Sequence, residues 1–234
     1  DVILALAEVA KNLVVVNISG SAVAMPWADS VDAIVQGWYG GTESGNALAD
    51  VLTGKVNPSG RLPFSVPFKY EDGPIKTEAQ YPGIKTEDDE FWQTHYSEGV
   101  YVGYRWYSSK KIKVQFPFGH GLSFSKFKYR RAKVKDDVLK IRVKNASRVD
   151  GDEVVQVYIR KADDVDGPIM SLRGFKRVHI KARKRAVVEI PLSAENIDLF
   201  NPETGKMEAA SGEYIIYYGG TSDISKLRKL KIKI

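Results

Sequence analysis

The 234-residue sequence predicts a partial parallel-sheet α/β sandwich followed by an all-β sandwich of the immunoglobulin type. In the first third, continuous apolar runs alternate with a helical pattern, and such runs are typical of strands that are buried on both faces. In the second half, charged and β-branched residues alternate with period two, and turn residues separate these stretches. We therefore predict an α/β part at residues 1–66, an aromatic-rich connector at 67–122 and a β-sandwich at 123–234.

The α/β part is predicted to contain two helices and two buried strands. In chain order these are a helix at 1–10, a strand at 13–18, a strand at 33–39 and a helix from Thr42 or Glu43 to about Leu52. Gly54 suits the left-handed position just past a helix end. Residues 57–60 are predicted to form a turn, and residues 62–66 to be extended. Because the sequence starts inside a helical pattern at Asp1, without a signal-type segment, we expect a recombinant fragment, a proteolytic product or a processed subunit.

The connector at residues 67–122 has no clear period, so no regular element is predicted there. A stretch of this length usually wraps a surface or builds a site. Its aromatic residues indicate that it is packed rather than disordered. These aromatics are Tyr70, Tyr81, Phe91, Trp92, Tyr96, Tyr101, Tyr104, Trp106 and Tyr107.

The β-sandwich is predicted to contain seven strands. They are expected at 124–134, 138–145, 153–160, 172–180, 185–192, 213–219 and about 228–234. The turn signals between them are Asp136-Asp137, Asn145-Ala146-Ser147, Asp163-Asp164, Asn201-Pro202 and Ser211-Gly212.

Charge is unevenly distributed along the chain. The net charge is +6, of which residues 1–125 contribute −4 and residues 126–234 contribute +10. A basic half can indicate a polyanionic partner. In runs such as 140–144 and 229–234, however, the cations alternate with β-branched residues, which places them on the wet face of strands. Because no base-stacking aromatic motif accompanies the lysines, we favour a solvated strand face over a nucleic-acid site.

Composition narrows the classes of site and partner. The chain has no cysteine, which excludes disulfides and thiolate zinc sites. No apolar stretch reaches 18 residues, the length that suggests a membrane span. We expect no cofactor, no metal site, no nucleic-acid partner and no membrane partner. A periplasmic or secreted location is favoured over a cytoplasmic one.

Several runs go beyond composition and carry a family resemblance. In their order and spacing, four of them resemble the second domain of glycoside hydrolase family 3: residues 14–21, Trp38 to Pro63, Tyr96 to Tyr107 and Phe116 to Phe124. The β-rich part resembles the fibronectin type III-like domain of the same family. That resemblance rests on residues 150–158, 172–175 and 211–214.

The resemblance implies the C-terminal part or subunit of a retaining, exo-acting β-glucosidase or β-xylosidase that removes terminal non-reducing sugars from oligosaccharides. Retaining hydrolysis uses two carboxyl groups about 5–5.5 Å apart. In the family, the nucleophile is an aspartate of an N-terminal barrel, and the acid/base glutamate lies upstream of the helix that opens this chain. Neither motif is present, so we assign no catalytic residue, leave the substrate-binding residues unknown and expect the chain alone to be inactive. The implied partners are the oligosaccharide and the catalytic barrel, in the same polypeptide or a separate chain, and homo-oligomerisation stays open.

Four side chains are candidates for a role in chemistry. Glu43 falls in the first turn of a helix, where a carboxylate is stabilised by the helix dipole, and Glu98 is placed to pair with Arg105. Carboxylates with a perturbed pKa often belong to structural ion pairs, so neither glutamate is assigned a catalytic role. His120 lies between two glycines without a Ser or Asp partner in sequence, which favours a structural histidine bonded to the backbone. Arg61 is expected to pair with a carboxylate.

Three other features have a structural and a functional interpretation. The Gly40-Gly41 turn lacks the Lys-Ser/Thr ending of a phosphate-binding loop, which favours a structural turn. The acidic segment 85–95 and the group Asp163, Asp164 and Asp166 lack the spacing of an EF-hand, which favours exposed loops over calcium sites.

Two other functions stay open, a carbohydrate-binding module and a structural or assembly module without catalysis. The connector aromatics would either stack on sugar at the rim of a site or fix the domains together. We favour the second. The sugar that is cleaved cannot be assigned, because specificity in the family lies largely in the barrel.

Overall fold

A computed structural model describes residues 2–88, 90–193, 197–201, 203–208 and 210–233. Its α/β part consists of helix α1 (Val2–Val9), strand β1 (Val14–Asn17), strand β2 (Ala33–Gln36) and helix α2 (Ser44–Leu52). Strands β1 and β2 are parallel, with Val14 opposite Ala33 and Asn17 opposite Gln36. Four positions used in the predictions, Asp1, Asp89, Pro202 and Ile234, lie outside the described residues.

The predicted helices and strands of this part are confirmed, although both strands are shorter than predicted. Neither strand contains a buried residue, so the predicted burial of the two strands is wrong. Strand β2 ends at Gln36 rather than at residue 39, because Trp38 has a φ of 54° and leaves the extended conformation. Gly54 has a φ of 76° just past α2, as predicted. No residue of α1 or α2 is buried, and Val2, Leu4, Leu6 and Val9 of α1 are exposed.

The connector contains more regular structure than the sequence predicts. Strand β3 (Val66–Pro67) pairs antiparallel with strand β4 (Val114–Phe116), and between them lie a 3₁₀ turn (Tyr70–Asp72) and helix α3 (Tyr104–Ser109). The prediction of no regular element is therefore wrong. Helix α3 has only six residues, which is too short for its period to stand out. Its start depends on Gly103, whose φ of 54° suits glycine.

The rest of the chain is a two-sheet β-sandwich. Its strands are β5 (Phe127–Tyr129), β6 (Lys133–Lys135), β7 (Val138–Asn145), β8 (Gly151–Lys161), β9 (Ser171–Ile180), β10 (Arg185–Pro191), β11 (Leu199–Asn201), β12 (Lys206–Glu208), β13 (Glu213–Gly219) and β14 (Arg228–Lys233). One sheet has the order β10-β7-β5, with β6 also paired to β7, and the other has the order β14-β13-β8-β9. The predicted α/β part followed by an all-β sandwich is confirmed.

Two strand predictions need correction. The single strand predicted at 124–134 is split into β5 and β6, because Ala132 turns inward, is buried and donates its amide to the Tyr218 hydroxyl. The hairpin of β11 and β12 was not predicted, since strands of three residues leave no alternation to detect.

The sandwich core lies between its two sheets. On β7, Leu139, Ile141 and Val143 are fully buried. They alternate with Lys140, Arg142 and Lys144, which face outward. The predicted alternation of cations and core residues is confirmed. In the described part of the chain, no helix is long and apolar enough to cross a membrane.

Candidate functional site

A buried ion pair joins the α/β part to the β-sandwich. Nη2 of Arg61 lies 3.1 Å from Oε1 of Glu153, and the two side chains are only 10% and 6% exposed. Glu153 is on β8, on the same face as the core residues Val155 and Val157. Burial raises the pKa of the Glu153 carboxyl, and the guanidinium of Arg61 opposes that rise. The prediction that Arg61 pairs with a carboxylate is confirmed.

Asn57 makes a second set of contacts across the same junction. Its amide nitrogen donates to Oγ of Ser125 at 3.0 Å and to the carbonyl of Asp150 at 2.8 Å. Its amide oxygen accepts from Oγ of Ser123 at 2.9 Å and from the main-chain amide of Phe124 at 2.8 Å. The turn that the sequence predicts at 57–60 is therefore bonded to the start of the sandwich.

The aromatic residues near α3 pack against the outer face of the β14-β13-β8-β9 sheet. The ring of Tyr104 lies 5.0 Å from that of Phe118 and 5.5 Å from that of Tyr158, measured between centroids. The Tyr104 hydroxyl accepts a hydrogen bond from the amide of Leu172 at 2.7 Å. These rings hold the connector to the sandwich, because their contacts reach from one to the other.

A second group of connector aromatics is exposed. The side chains of Tyr81, Phe91, Trp92 and Tyr96 are each more than half exposed. A two-way main-chain bridge between Ile84 and Gln93 closes the loop that carries Phe91 and Trp92. The loop over 85–95 is exposed in its described residues, as predicted. Exposed rings of this kind are available to stack on the apolar faces of a ligand.

His120 is half-buried at the junction. Its ring lies 5.1 Å from the ring of Phe116, between centroids. Burial, followed by the nearby charges of Lys226 and Arg61, lowers the pKa of its imidazole, so the neutral form is favoured. Its main-chain amide and carbonyl are hydrogen-bonded, to Pro117 and Leu62 respectively, whereas the ring makes no hydrogen bond with a described residue. The predicted bond from the ring to the backbone is therefore not found.

The two candidate glutamates have separate local partners. Glu43 directly precedes α2, and its carboxylate accepts from the side-chain amide of Asn46 at 2.6 Å. Glu98 accepts from the side-chain amide of Gln80 at 2.9 Å. Among the ion pairs of the described residues, none joins Glu98 to Arg105, so that predicted pairing is not found.

The aspartates that suggested a calcium loop have different partners. Nζ of Lys161 lies 2.7 Å from Oδ1 of Asp163, and this hydrogen-bonded ion pair lowers the pKa of the Asp163 carboxyl. Asp164 accepts from the main-chain amide of Gly167 at 2.8 Å. Within the described residues, no group of three or more His, Asp or Glu side chains is arranged to hold a metal ion.

Both halves of the molecule match known families. A family model of the glycosyl hydrolase family 3 C-terminal domain matches residues 1–104, and one of the fibronectin type III-like domain matches residues 153–222. The chain belongs to glycosyl hydrolase family 3. The resemblance carried by the sequence runs is confirmed in both parts, whereas the boundaries at 66 and 122 stay predictions.

The relatives of this family 3 chain are glycosidases. A β-glucosidase of Kluyveromyces marxianus is 40% identical over 100% of the chain and 28% of its own length. A xylan 1,4-β-xylosidase of Xylanibacter ruminicola is 39% identical over 98% of the chain and 25% of its own length. The crystal structure of DesR, a β-glucosidase from Streptomyces venezuelae in complex with D-glucose, has a TM-score of 0.90 and 29% identity over 99% of the chain and 30% of that structure. The chain thus spans between a quarter and a third of the length of these proteins.

Sequence reasoning missed the main residue of the junction in this family 3 chain. Glu153 was not proposed as the partner of Arg61, although a signal is present. In the run from Glu153 to Val157, the glutamate has the same strand parity as the core valines. A carboxylate at a core position is rare without a partner. The sequence could therefore have indicated that Glu153 is paired, but not with which cation.

Proposed function

We propose that this chain is the C-terminal part of a retaining, exo-acting β-glycosidase that removes terminal glucose or xylose units from oligosaccharides. We further propose that it is inactive without an N-terminal catalytic barrel. The names of the relatives support the reaction class, because they include both β-glucosidases and a β-xylosidase. Since the chain spans only 28% of the first of these, most of the residues of such an enzyme lie elsewhere.

The carboxylates of the chain support the second part of this proposal. Retaining hydrolysis needs a nucleophile and an acid/base group placed about 5–5.5 Å apart. The two best candidates, Glu43 and Glu98, are engaged by Asn46 and Gln80 on different segments. Glu153 is buried in an ion pair that holds two parts of the fold together. The single observation that carries the proposal is therefore a family 3 fold whose candidate carboxylates serve local structure.

The exposed apolar side chains of the α/β part support the proposal that another part of the enzyme packs against it. Val2, Leu4, Leu6 and Val9 of α1 are all exposed, together with Val14 of β1. Apolar patches of this kind mark contact surfaces. We propose that the catalytic barrel and the remainder of the α/β sandwich cover them, either as part of the same polypeptide or as a second chain.

The test is to assay the purified chain on aryl β-glucosides and aryl β-xylosides, alone and after addition of a fragment that contains the barrel. We expect no turnover alone and turnover in the mixture. Glu43→Gln and Glu98→Gln are the matched variants, and neither should reduce the activity of the mixture by more than a few fold. Hydrolysis by the chain alone that is lost in one of these variants would overturn the proposal.

A second function is favoured by the exposed aromatics of the connector. Tyr81, Phe91, Trp92 and Tyr96 could hold a sugar chain by stacking, either as the rim of the glycosidase site or as a separate binding surface. Retention on insoluble glycans that is lost in Trp92→Ala but kept in Trp106→Phe would support it. Trp106 is the control because its indole is engaged with the carbonyl of Asp72. No retention on any glycan would eliminate the binding function.

A further inference from the structure

The outer face of the β10-β7-β5 sheet, with β6, is strongly cationic. Its outward side chains are found from the alternation of exposed and buried residues along each strand. Seven of them are cations: Lys128, Lys133, Lys135, Lys140, Arg142, Lys144 and Arg185. The one carboxylate among the outward side chains of these described strands is Glu189. We call this set the cationic face.

The register of the strands places like charges directly opposite one another. Lys144 on β7 is opposite Lys128 on β5 and also opposite Arg185 on β10. Lys133 on β6 is opposite Lys140 on β7. Like charges at directly opposed positions destabilise a sheet. A solvated strand face needs alternation of polar and apolar residues, but it does not need this opposition of cations.

Few of these cations are neutralised within the described part of the protein. Lys140 pairs with Glu189 at 2.8 Å, and Lys135 approaches Asp136 at 3.8 Å. No ion pair within the described residues involves Lys128, Lys144 or Arg185. The row of three cations centred on Lys144 therefore has no ion-pair partner among the described residues.

The cationic face continues into an open groove of about 850 Å³ at the edge of the sandwich. Lys133, Lys140 and Arg142 line the groove from one sheet together with the carboxylate Glu189, and Lys231 lines it from β14 of the other. The groove gives the face a concave edge. Low-dielectric walls beside an excess of positive charge concentrate the potential and raise the local concentration of counter-ions.

We propose that the cationic face and its groove bind an acidic polysaccharide, a linear glycan whose sugar units carry carboxylates. Along β7 the cations at every second residue are about 6.8 Å apart, and across strands the spacing is about 5 Å. A linear polymer with a charge on each unit can meet such a lattice at several points at once. The preference for a glycan over other polyanions rests on the proposed glycosidase function.

The chemistry of the face favours an acidic glycan over nucleic acid. Five of the seven cations are lysines, which act as point charges and set no preference between carboxylate and phosphate, so the choice rests on the surroundings of the cations. The outward residues of these described strands include no aromatic ring on which a base could stack. The face is a sheet surface, with no helix or ribbon placed to enter the groove of a duplex.

The decisive variant is Lys144→Glu. It removes the central cation of the row and places a carboxylate opposite both Lys128 and Arg185, so it turns two repulsive neighbours into attractive ones. We expect binding to polygalacturonate to weaken roughly tenfold at low salt. We also expect the thermal midpoint to stay equal or to rise. A variant that merely damaged the fold would lower both. The matched control is Lys11→Glu, which makes the same charge change at an exposed position of the α/β part.

The measurement is affinity electrophoresis of the full chain through gels that contain polygalacturonate, with gels of a neutral β-glucan as reference. Retardation that falls with added salt, is reduced in Lys144→Glu and is kept in Lys11→Glu would support the proposal. No retardation at low salt, or equal retardation of Lys144→Glu and the parent, would overturn it. Tighter binding to duplex DNA or to anionic vesicles than to polygalacturonate would also overturn it. The assay involves no hydrolysis, so its failure is separate from a failure of the proposed glycosidase activity.

Discussion

Replacing Arg61 by methionine tests whether the ion pair with Glu153 holds the junction together. Methionine keeps most of the length and apolar stem of the side chain but removes its charge. The variant leaves Glu153, which is 6% exposed, without its cation. The amide of Val154 still donates to Oε1 of Glu153 at 2.9 Å, so the carboxyl keeps this hydrogen bond.

The expected loss of stability is bounded by the protonation of Glu153. An unpaired buried carboxylate costs about 3–5 kcal/mol when one partner of a buried pair is removed. The folded protein can instead keep Glu153 protonated. At pH 7, protonating a glutamate whose unfolded pKa is 4.5 costs about 3.4 kcal/mol, at 1.36 kcal/mol for each pH unit between 4.5 and 7. We therefore expect Arg61→Met to lose about 3 kcal/mol of unfolding free energy at pH 7. At pH 5 the same ceiling is about 0.7 kcal/mol, so the loss should fall to about 0.7 kcal/mol or less.

The sign of the pH dependence follows from the direction of the shift. Burial already raises the pKa of Glu153, and removal of Arg61 raises it further. A folded-state pKa above the unfolded value means that stability is fully present below the unfolded pKa. That stability is lost as the pH rises through the folded pKa. The penalty in Arg61→Met should therefore grow between pH 5 and pH 7.

The assay is urea unfolding followed by far-ultraviolet circular dichroism at pH 5 and pH 7. Lys231→Met is the control, because its pair with Glu213 has the same sign pattern but both side chains are at least half exposed, at 67% and 50%. It should lose no more than about 1 kcal/mol at either pH. The double variant Arg61→Met, Glu153→Gln should recover most of the loss at pH 7. Equal losses at the two pH values, or a double variant no more stable than Arg61→Met, would refute the reasoning.

Four further substitutions have defined outcomes. Asn57→Ala removes four hydrogen bonds across the junction and should cost about 2–3 kcal/mol in urea unfolding, and a loss below 1 kcal/mol would contradict the role given to Asn57. Gly54→Ala should lower the unfolding free energy by about 1 kcal/mol, and Gly119→Ala should lower it by more. Both glycines have positive φ, at 76° and 79° respectively, but only at Gly119 would the added Cβ collide with a buried side chain, that of Gln156. Equal thermal midpoints for the two variants would rule out that collision. The pKa of His120 is lowered in the folded state, so the parent chain should lose stability as the pH falls below about 6.5. His120→Gln should therefore flatten this part of the plot of melting temperature against pH. An unchanged slope would exclude His120 as the source of the pH dependence.

The sandwich was predictable because one face of each sheet packs on the core and the other faces water. On β7, the period of two between Leu139, Ile141 and Val143 assigns a core face from sequence alone, and the structure confirms it. The parallel pair of β1 and β2 was predicted from continuous apolar runs, which are typical of strands buried on both faces. The strands are present, but neither contains a buried residue. A local pattern therefore places a strand in the chain, whereas its burial depends on what packs against it.

The rest could not be predicted, since it depends on which segments meet. Alternation places Lys144 on the outer face of β7, but only the register shows that Lys128 and Arg185 are opposite it. Glu153 stands at a core position in the sequence, yet its partner Arg61 is 92 residues away in the chain. Short elements such as α3 carry no complete period. Strand register and long-range pairing are tertiary properties. The candidate site depends mainly on contacts of this kind, such as that between Arg61 and Glu153.

The distribution of buried residues assigns the two parts different mechanical roles. The sandwich has a continuous core between its own sheets, whereas α1 and α2 bury no residue of their own. The α/β part is tied to this core by the Arg61–Glu153 pair and by Asn57, all at one turn and the strands next to it. A rigid sandwich can therefore fix the position of the turn that follows α2, without supplying any group that reacts. If a catalytic barrel covers the exposed face of α1, the Arg61–Glu153 pair acts on hydrolysis through the stability of this junction. A substitution at Arg61 would then lower the amount of active enzyme rather than the rate of each molecule.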